Sequence, residues 1–91
     1  MLDCVMDEIA AIRKQIDELD ERILDLVQKR VQHAINIRRL KLERNIPLVT
    51  PEREQELIHH LVEVSGGRLP AEVITQIWDS IIEGGKQTQD H

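Results

Sequence analysis

The chain has 91 residues, with 12 Lys and Arg against 17 Asp and Glu and a net charge of -5. That is enough for one small domain over residues 1–91, and its acidic balance, with one Trp and no Phe or Tyr, excludes the basic footprint and stacking platforms of a nucleic-acid binder. The single cysteine, Cys4, excludes an intramolecular disulfide framework and fits a reducing compartment; with no apolar run of membrane-spanning length and no basic-then-apolar leader, a cytoplasmic location is expected and no membrane partner.

From Asp7 to Arg44 there is neither Pro nor Gly. Ile9, Ile12, Ile16, Leu19, Ile23, Leu26, Val27, Ala34 and Ile37 recur at three- and four-residue steps, which predicts one long helix, with Asp17, Asp20, Glu21, Asp25 and Lys29 on its other faces. Asn45-Ile46-Pro47 is expected to end it, because a residue before proline is pushed out of the helical region. After a short extended link, Thr50-Pro51-Glu52-Arg53-Glu54 reads as a helix start, with Thr50 as N-cap, Pro51 at the first position and acids at the positive end of the dipole. Leu57, Ile58, Leu61 and Val62 give this second helix its apolar face, and Gly66-Gly67 stops it. Pro70 opens a third helix with Val73, Ile74, Ile77, Trp78, Ile81 and Ile82 on one side. Gly84 and Gly85 weaken its far end by roughly 1 kcal/mol each relative to Ala, so the stretch from Lys86 onward either frays or continues helical.

A helix of about 38 residues is about 57 Å long at 1.5 Å per residue, whereas a compact chain of this size has a radius of gyration of about 13 Å. The long helix must then protrude from its own monomer, and its apolar stripe needs a cover. A second copy of the chain, packed as a two-fold dimer, is the expected one.

Two cations break the stripe. Arg30 stands seven residues after Ile23 and four before Ala34, within roughly 20–40° of both. Lys41 follows eleven residues later, within about 20° of Arg30 and some 16 Å along the axis. A buried cation without a partner is very costly, so either acids of the same protein or an anionic ligand must neutralise the pair. Arg13 flanks the stripe beside Ile9 and Ile16 and reads, taken alone, as a surface residue. It is 28 residues from Lys41, about 42 Å on a continuous helix, so a site using both must draw Arg13 from a second subunit. Thr50, Arg53 and Glu54 lie where the chain turns back toward Lys41. A carboxylate beside cations can bind a hydroxyl or serve in acid–base chemistry, but an ordinary acid-rich first turn has the same composition.

Other constellations are thinner. Glu56 and His59 match a Glu-x-x-His element, yet the further acids of a di-iron site are missing, so no metal is expected. His33, His59 and His60 read as surface residues, and the basic run Arg38-Arg39-Leu40-Lys41 is short. No Gly-rich phosphate loop, Cys-x-x-Cys pair or nucleophile elbow is present, and no cofactor is expected.

The order Ile12-Arg13-Lys14-Gln15-Ile16-Asp17-Glu18-Leu19-Asp20, then Arg30, Lys41, Ile46-Pro47, Pro51-Glu52-Arg53-Glu54, Ile81-Ile82-Glu83 and Gln89 resembles the all-helical class of chorismate mutases over nearly the whole chain. The resemblance implies an all-α fold of one long and two short helices in an intertwined homodimeric bundle with two equivalent sites. It implies rearrangement of chorismate to prephenate, on the route to phenylalanine and tyrosine, without cofactor or metal. By the same analogy Arg30 and, from the other subunit, Arg13 bind the two substrate carboxylates. Lys41 and Gln89 hydrogen-bond the ether oxygen, Lys41 also touching a carboxylate, while Glu54 holds the ring hydroxyl and Arg53 supports the site. Thr50 stands where the family often has an acid that contacts the ring hydroxyl; it keeps a hydrogen bond but not the charge. Gly85 stands where Ser is common, so placing Gln89 requires the third helix to persist through two glycines.

Such a rearrangement is concerted and intramolecular. Selecting the compact conformer lowers the entropic part of the barrier, and preorganised donors stabilise charge developing on the ether oxygen. Two other readings remain open at this point. One is an isochorismate-pyruvate lyase on the same fold. The other is a non-catalytic helical dimerisation or regulatory module, against which stand the inward cations that dimerisation does not need.

Overall fold

The computed structural model describes residues 2–48 and 51–88, with side chains from residue 4 onward. Thr50 and Gln89 lie outside the described residues, and with them the expected N-cap of the second helix. Among the described residues the chain is all-α, with α1 (Leu2–Glu43), α2 (Pro51–Ser65) and α3 (Ala71–Gln87). They divide into two compact units, the first ending at Arg30 and the second beginning at Val31, a boundary that falls within α1.

In the first unit α1 starts five residues before the expected Asp7. No Gly or Pro interrupts the added segment, and Val5 and Met6 stand four and three residues before Ile9, so the stripe simply extends. Cys4 is accordingly helical and exposed. The stripe itself, Ile9, Ile12, Ile16, Leu19, Ile23 and Leu26, is exposed in the single chain.

In the second unit α1 stops at Glu43, and the cause is Asn45 rather than Pro47. Asn45 adopts the left-handed conformation with φ 56. The Ile46 N–H then reaches back to the Lys41 carbonyl at 2.9 Å and the Asn45 N–H to the Leu42 carbonyl at 3.5 Å, the double closure of a Schellman turn. Asn tolerates this region better than most side chains. α2 ends at Gly66 and Gly67, with φ of 59 and 84, and the Leu69 N–H is taken by Ser65 Oγ at 3.1 Å. Pro70 precedes α3, its carbonyl accepting the Val73 and Ile74 N–H groups at 3.0 and 3.2 Å. The five-residue connection folds α2 and α3 into an antiparallel αα-hairpin whose helices pack on each other.

The core is small. Among the described residues Ile35 of α1 and Ile74 of α3 are its buried members, with Leu57, Ile58, Leu61, Val62, Trp78, Ile81 and Ile82 half-buried. Val73 and Ile77, expected on the same face, are exposed. They sit roughly 100° and 60° around the helix from Ile74, both on one side, beyond the reach of the facing helices.

Candidate active site

Each unit supplies part of the expected cation set. In the first, Arg13 is exposed and Arg30 half-buried. In the second, Lys41 is half-buried in the last turn of α1, where a cation suits the negative end of the helix dipole. Its turn is fixed by the backbone closure onto its own carbonyl, from Ile46 at 2.9 Å and Arg44 at 3.2 Å. Among the described residues neither the Arg30 nor the Lys41 side chain pairs with an acid. Internal neutralisation, one of the two ways to offset such cations, is therefore absent at both positions among these residues.

The first turn of α2 carries Glu52 and Glu54 at the positive end of its dipole. Arg53 is exposed and Glu54 is half-buried. Glu54 is not merely a solvated first-turn acid: its Oε1 lies 3.1 Å from Lys86 Nζ in the last turn of α3. With the two side chains 38% and 48% exposed, the pair adds at most about 1 kcal/mol of stability.

α3 does persist through both glycines, to Gln87. Two carbonyls of the last turn, those of Gly84 and Gly85, accept hydrogen bonds from side chains. Arg38 Nη2 donates to the Gly85 carbonyl at 2.7 Å across 47 residues of sequence. Thr88 donates to the Gly84 carbonyl twice, from Oγ1 at 2.8 Å and from its backbone N–H at 3.1 Å. A hydrogen bond from a charged donor contributes roughly 1.5–3 kcal/mol, enough to offset the roughly 1 kcal/mol helix penalty of each glycine. Neither glycine is required by crowding. A Cβ on Gly85 would meet Val31 Cγ2 at 3.9 Å, an ordinary contact, and one on Gly84 would meet nothing within 4 Å.

Lys86 and Arg38 are the residues that the sequence reading did not single out for the site. Lys86 could have been found: a short connection makes α2 and α3 antiparallel, which brings an acidic first turn beside a basic last turn. Arg38 gave no such signal, since its partner is a backbone carbonyl.

Elsewhere, Glu18, Glu21, Arg22, Asp25 and Leu26 line an open depression of about 510 Å³ on α1. Its three carboxylates would repel a dianion, and none of the expected site residues lines it. His59 is exposed and pairs with Glu63 at 3.1 Å. Among the described residues no three His, Cys, Asp or Glu gather as metal ligands, and no helix is long and apolar enough to cross a membrane.

Among the described residues the chain is all-α, with three helices and no strand. Comparison with known proteins makes the class specific. Residues 12–90 match the family described as chorismate mutase type II, and the chain belongs to that family. Over 81 residues it is 38% identical to a bifunctional chorismate mutase/prephenate dehydratase of Aquifex aeolicus, covering 85% of this chain and 22% of that one. A protein of the same description from Escherichia coli is 32% identical over 82 residues, covering 89% and 21%. A chorismate mutase of Methanocaldococcus jannaschii is 39% identical over 51 residues, covering 56% of this chain and 52% of the relative. The chain thus spans about a fifth of the length of the bifunctional relatives. No solved structure matches.

Proposed function

We propose that the chain is a chorismate mutase domain over residues 1–91, converting chorismate to prephenate as a cytoplasmic homodimer with two equivalent sites. The observation that carries this reading is the family match over residues 12–90, a span that includes every expected site residue from Arg13 to Gln89. The names of the matched relatives favour the mutase over the lyase and over a non-catalytic module.

The reaction breaks the ether C–O bond as a new C–C bond forms within the same molecule, so nothing leaves and no second reactant enters. The protein must hold the folded-over conformer and meet the charge that develops on the ether oxygen. Arg30, with Arg13 from the second subunit, takes the two carboxylates. Lys41 and Gln89 donate to the ether oxygen, Lys41 also reaching a carboxylate. Glu54 accepts from the ring hydroxyl, Thr50 offers it a second bond, and Arg53 supports the cluster. The half-burial of Arg30 and Lys41 without an acid supports an anionic ligand as their counter-charge. The exposed stripe of α1 supports the dimer, because an apolar band of that length on one helix marks a protein contact.

The test is loss of chorismate's ultraviolet absorbance on adding the protein, with the product identified by chromatography. Prephenate is expected. Lys41→Ala should lower kcat/KM by roughly 10²–10³, the range for removing one donor to a developing oxyanion, with unchanged helical circular dichroism. An undiminished rate in that variant would overturn the site assignment. No conversion of chorismate, with salicylate and pyruvate formed from isochorismate, would replace the mutase with the lyase.

A further inference from the structure

We propose that Lys86 is a positioning residue for Glu54, holding its carboxylate in the orientation that receives the substrate's ring hydroxyl. This deepens the mutase reading and rests on it. Lys86 Nζ engages one carboxylate oxygen, Oε1, at 3.1 Å and leaves Oε2 to accept a further hydrogen bond. A pair this exposed adds little to stability, so its consequence lies in where it puts the carboxylate. It also offsets a charge problem. Glu54 alone would bring a third negative charge toward a dianionic substrate, whereas the Glu54–Lys86 pair is neutral.

A lysine on a flexible four-carbon stem positions a partner only if its own backbone is held. The last turn of α3 is held from two directions. Arg38 ties the carbonyl of the preceding residue, Gly85, to α1 at 2.7 Å, and Thr88 closes on the Gly84 carbonyl with two bonds. Residues 85 and 86 thereby join α3 to both other helices: Gly85 through its carbonyl to α1, Lys86 through its ammonium to α2. Arg38 is half-buried and, among the described residues, pairs with no acid, so its charge serves the helix end.

The experiment is steady-state kinetics on chorismate for the full chain and for Lys86→Met, Lys86→Arg, Glu54→Gln and the Lys86→Met/Glu54→Gln double variant, each checked for unchanged circular dichroism. Lys29→Met, which breaks a comparable exposed pair with Asp25 at 3.0 Å, is the control and should leave both constants unchanged. Lys86→Met should raise KM about tenfold with a smaller fall in kcat, the loss expected when one charge-assisted hydrogen bond is misplaced. Lys86→Arg should recover most of it. The double variant should be no worse than Glu54→Gln alone, because a residue acting through Glu54 has nothing left to act on. Unchanged kinetics in Lys86→Met, or fully additive losses in the double variant, would overturn the proposal while the mutase reading stood. A wild-type chain with no turnover would remove both.

Discussion

Replacing Leu19 by Glu should dissociate the proposed dimer. Leu19 lies mid-stripe on α1 and is 53% exposed in the single chain, with Ile16 at 49% and Ile23 at 56% on either side. Full burial of such a side chain contributes roughly 1.5–3 kcal/mol, so the exposed half of each offers about 1 kcal/mol on association. Ile9, Ile12, Ile16, Leu19, Ile23 and Leu26, counted on both copies, then supply on the order of 12 kcal/mol against an association cost of roughly 4–15 kcal/mol. The margin is narrow, and two-fold symmetry makes every substitution act twice. Leu19→Glu removes about 2 kcal/mol of burial from the pair and places two carboxylates in an apolar seam, at a further few kcal/mol. A total near 4 kcal/mol weakens the dimer about a thousandfold. Size-exclusion chromatography with light scattering at micromolar concentration should show the wild type at twice the chain mass and the variant at the chain mass. Asp17→Asn, about 160° around the helix, should leave the dimer intact. A monomeric wild type at tens of micromolar, or a Leu19→Glu protein that still dimerises, would refute the assignment of this face.

Two stability predictions concern helix ends and are read by thermal unfolding at fixed protein concentration, since the Tm of a protein that dimerises depends on concentration. Gly84→Ala fills open space in a helix and should stabilise by about 1 kcal/mol, raising Tm by roughly 4–8 °C; a fall would mean that Gly84 is needed for more than its backbone. Asn45→Val forces a β-branched residue to φ 56 and should destabilise by about 1–2 kcal/mol, whereas Asn45→Gly should equal or exceed the wild type; equal Tm values for Val and Gly would show that the turn does not set the end of α1.

How much the sequence discloses depends on whether a feature is local. Helix existence is local: apolar spacing and Gly/Pro punctuation place all three helices, and Gly66-Gly67 ends α2 as read. Asn45-Ile46-Pro47 marks the end of α1 in the sequence, but the turn is made by Asn45 in the left-handed conformation and not by the restriction that Pro47 places on Ile46. The inward cations are legible for a related reason, since a charge at an apolar register position is visible in the pattern, and Arg30 and Lys41 are indeed half-buried. What stays hidden is tertiary and carries no residue label. The partner of Arg38 is a carbonyl, a group every residue possesses, so nothing in the spacing of residues 38 and 85 announces their bond. Likewise Val73 and Ile77 obey the helical period yet stay exposed, because the period gives direction around a helix, not how far the neighbouring helices reach.

The proposed inter-subunit origin of Arg13 makes a prediction that a site built within one chain does not. Suppose Arg13→Ala and Lys41→Ala chains, each inactive alone, are unfolded together and refolded as a mixture. In a heterodimer the site built on the Arg13→Ala chain keeps its own Lys41 and receives an intact Arg13 from the other chain. The opposite site lacks both residues. Random pairing makes about half of the dimers hetero, with one working site in two, so roughly a quarter of wild-type specific activity should return. If Arg13 and Lys41 acted in the same chain, every site in the mixture would lack one of them and no activity would return. The assay needs no structure of the dimer. It asks whether two residues 28 positions apart, about 42 Å on a continuous helix, meet across the two-fold axis or not at all.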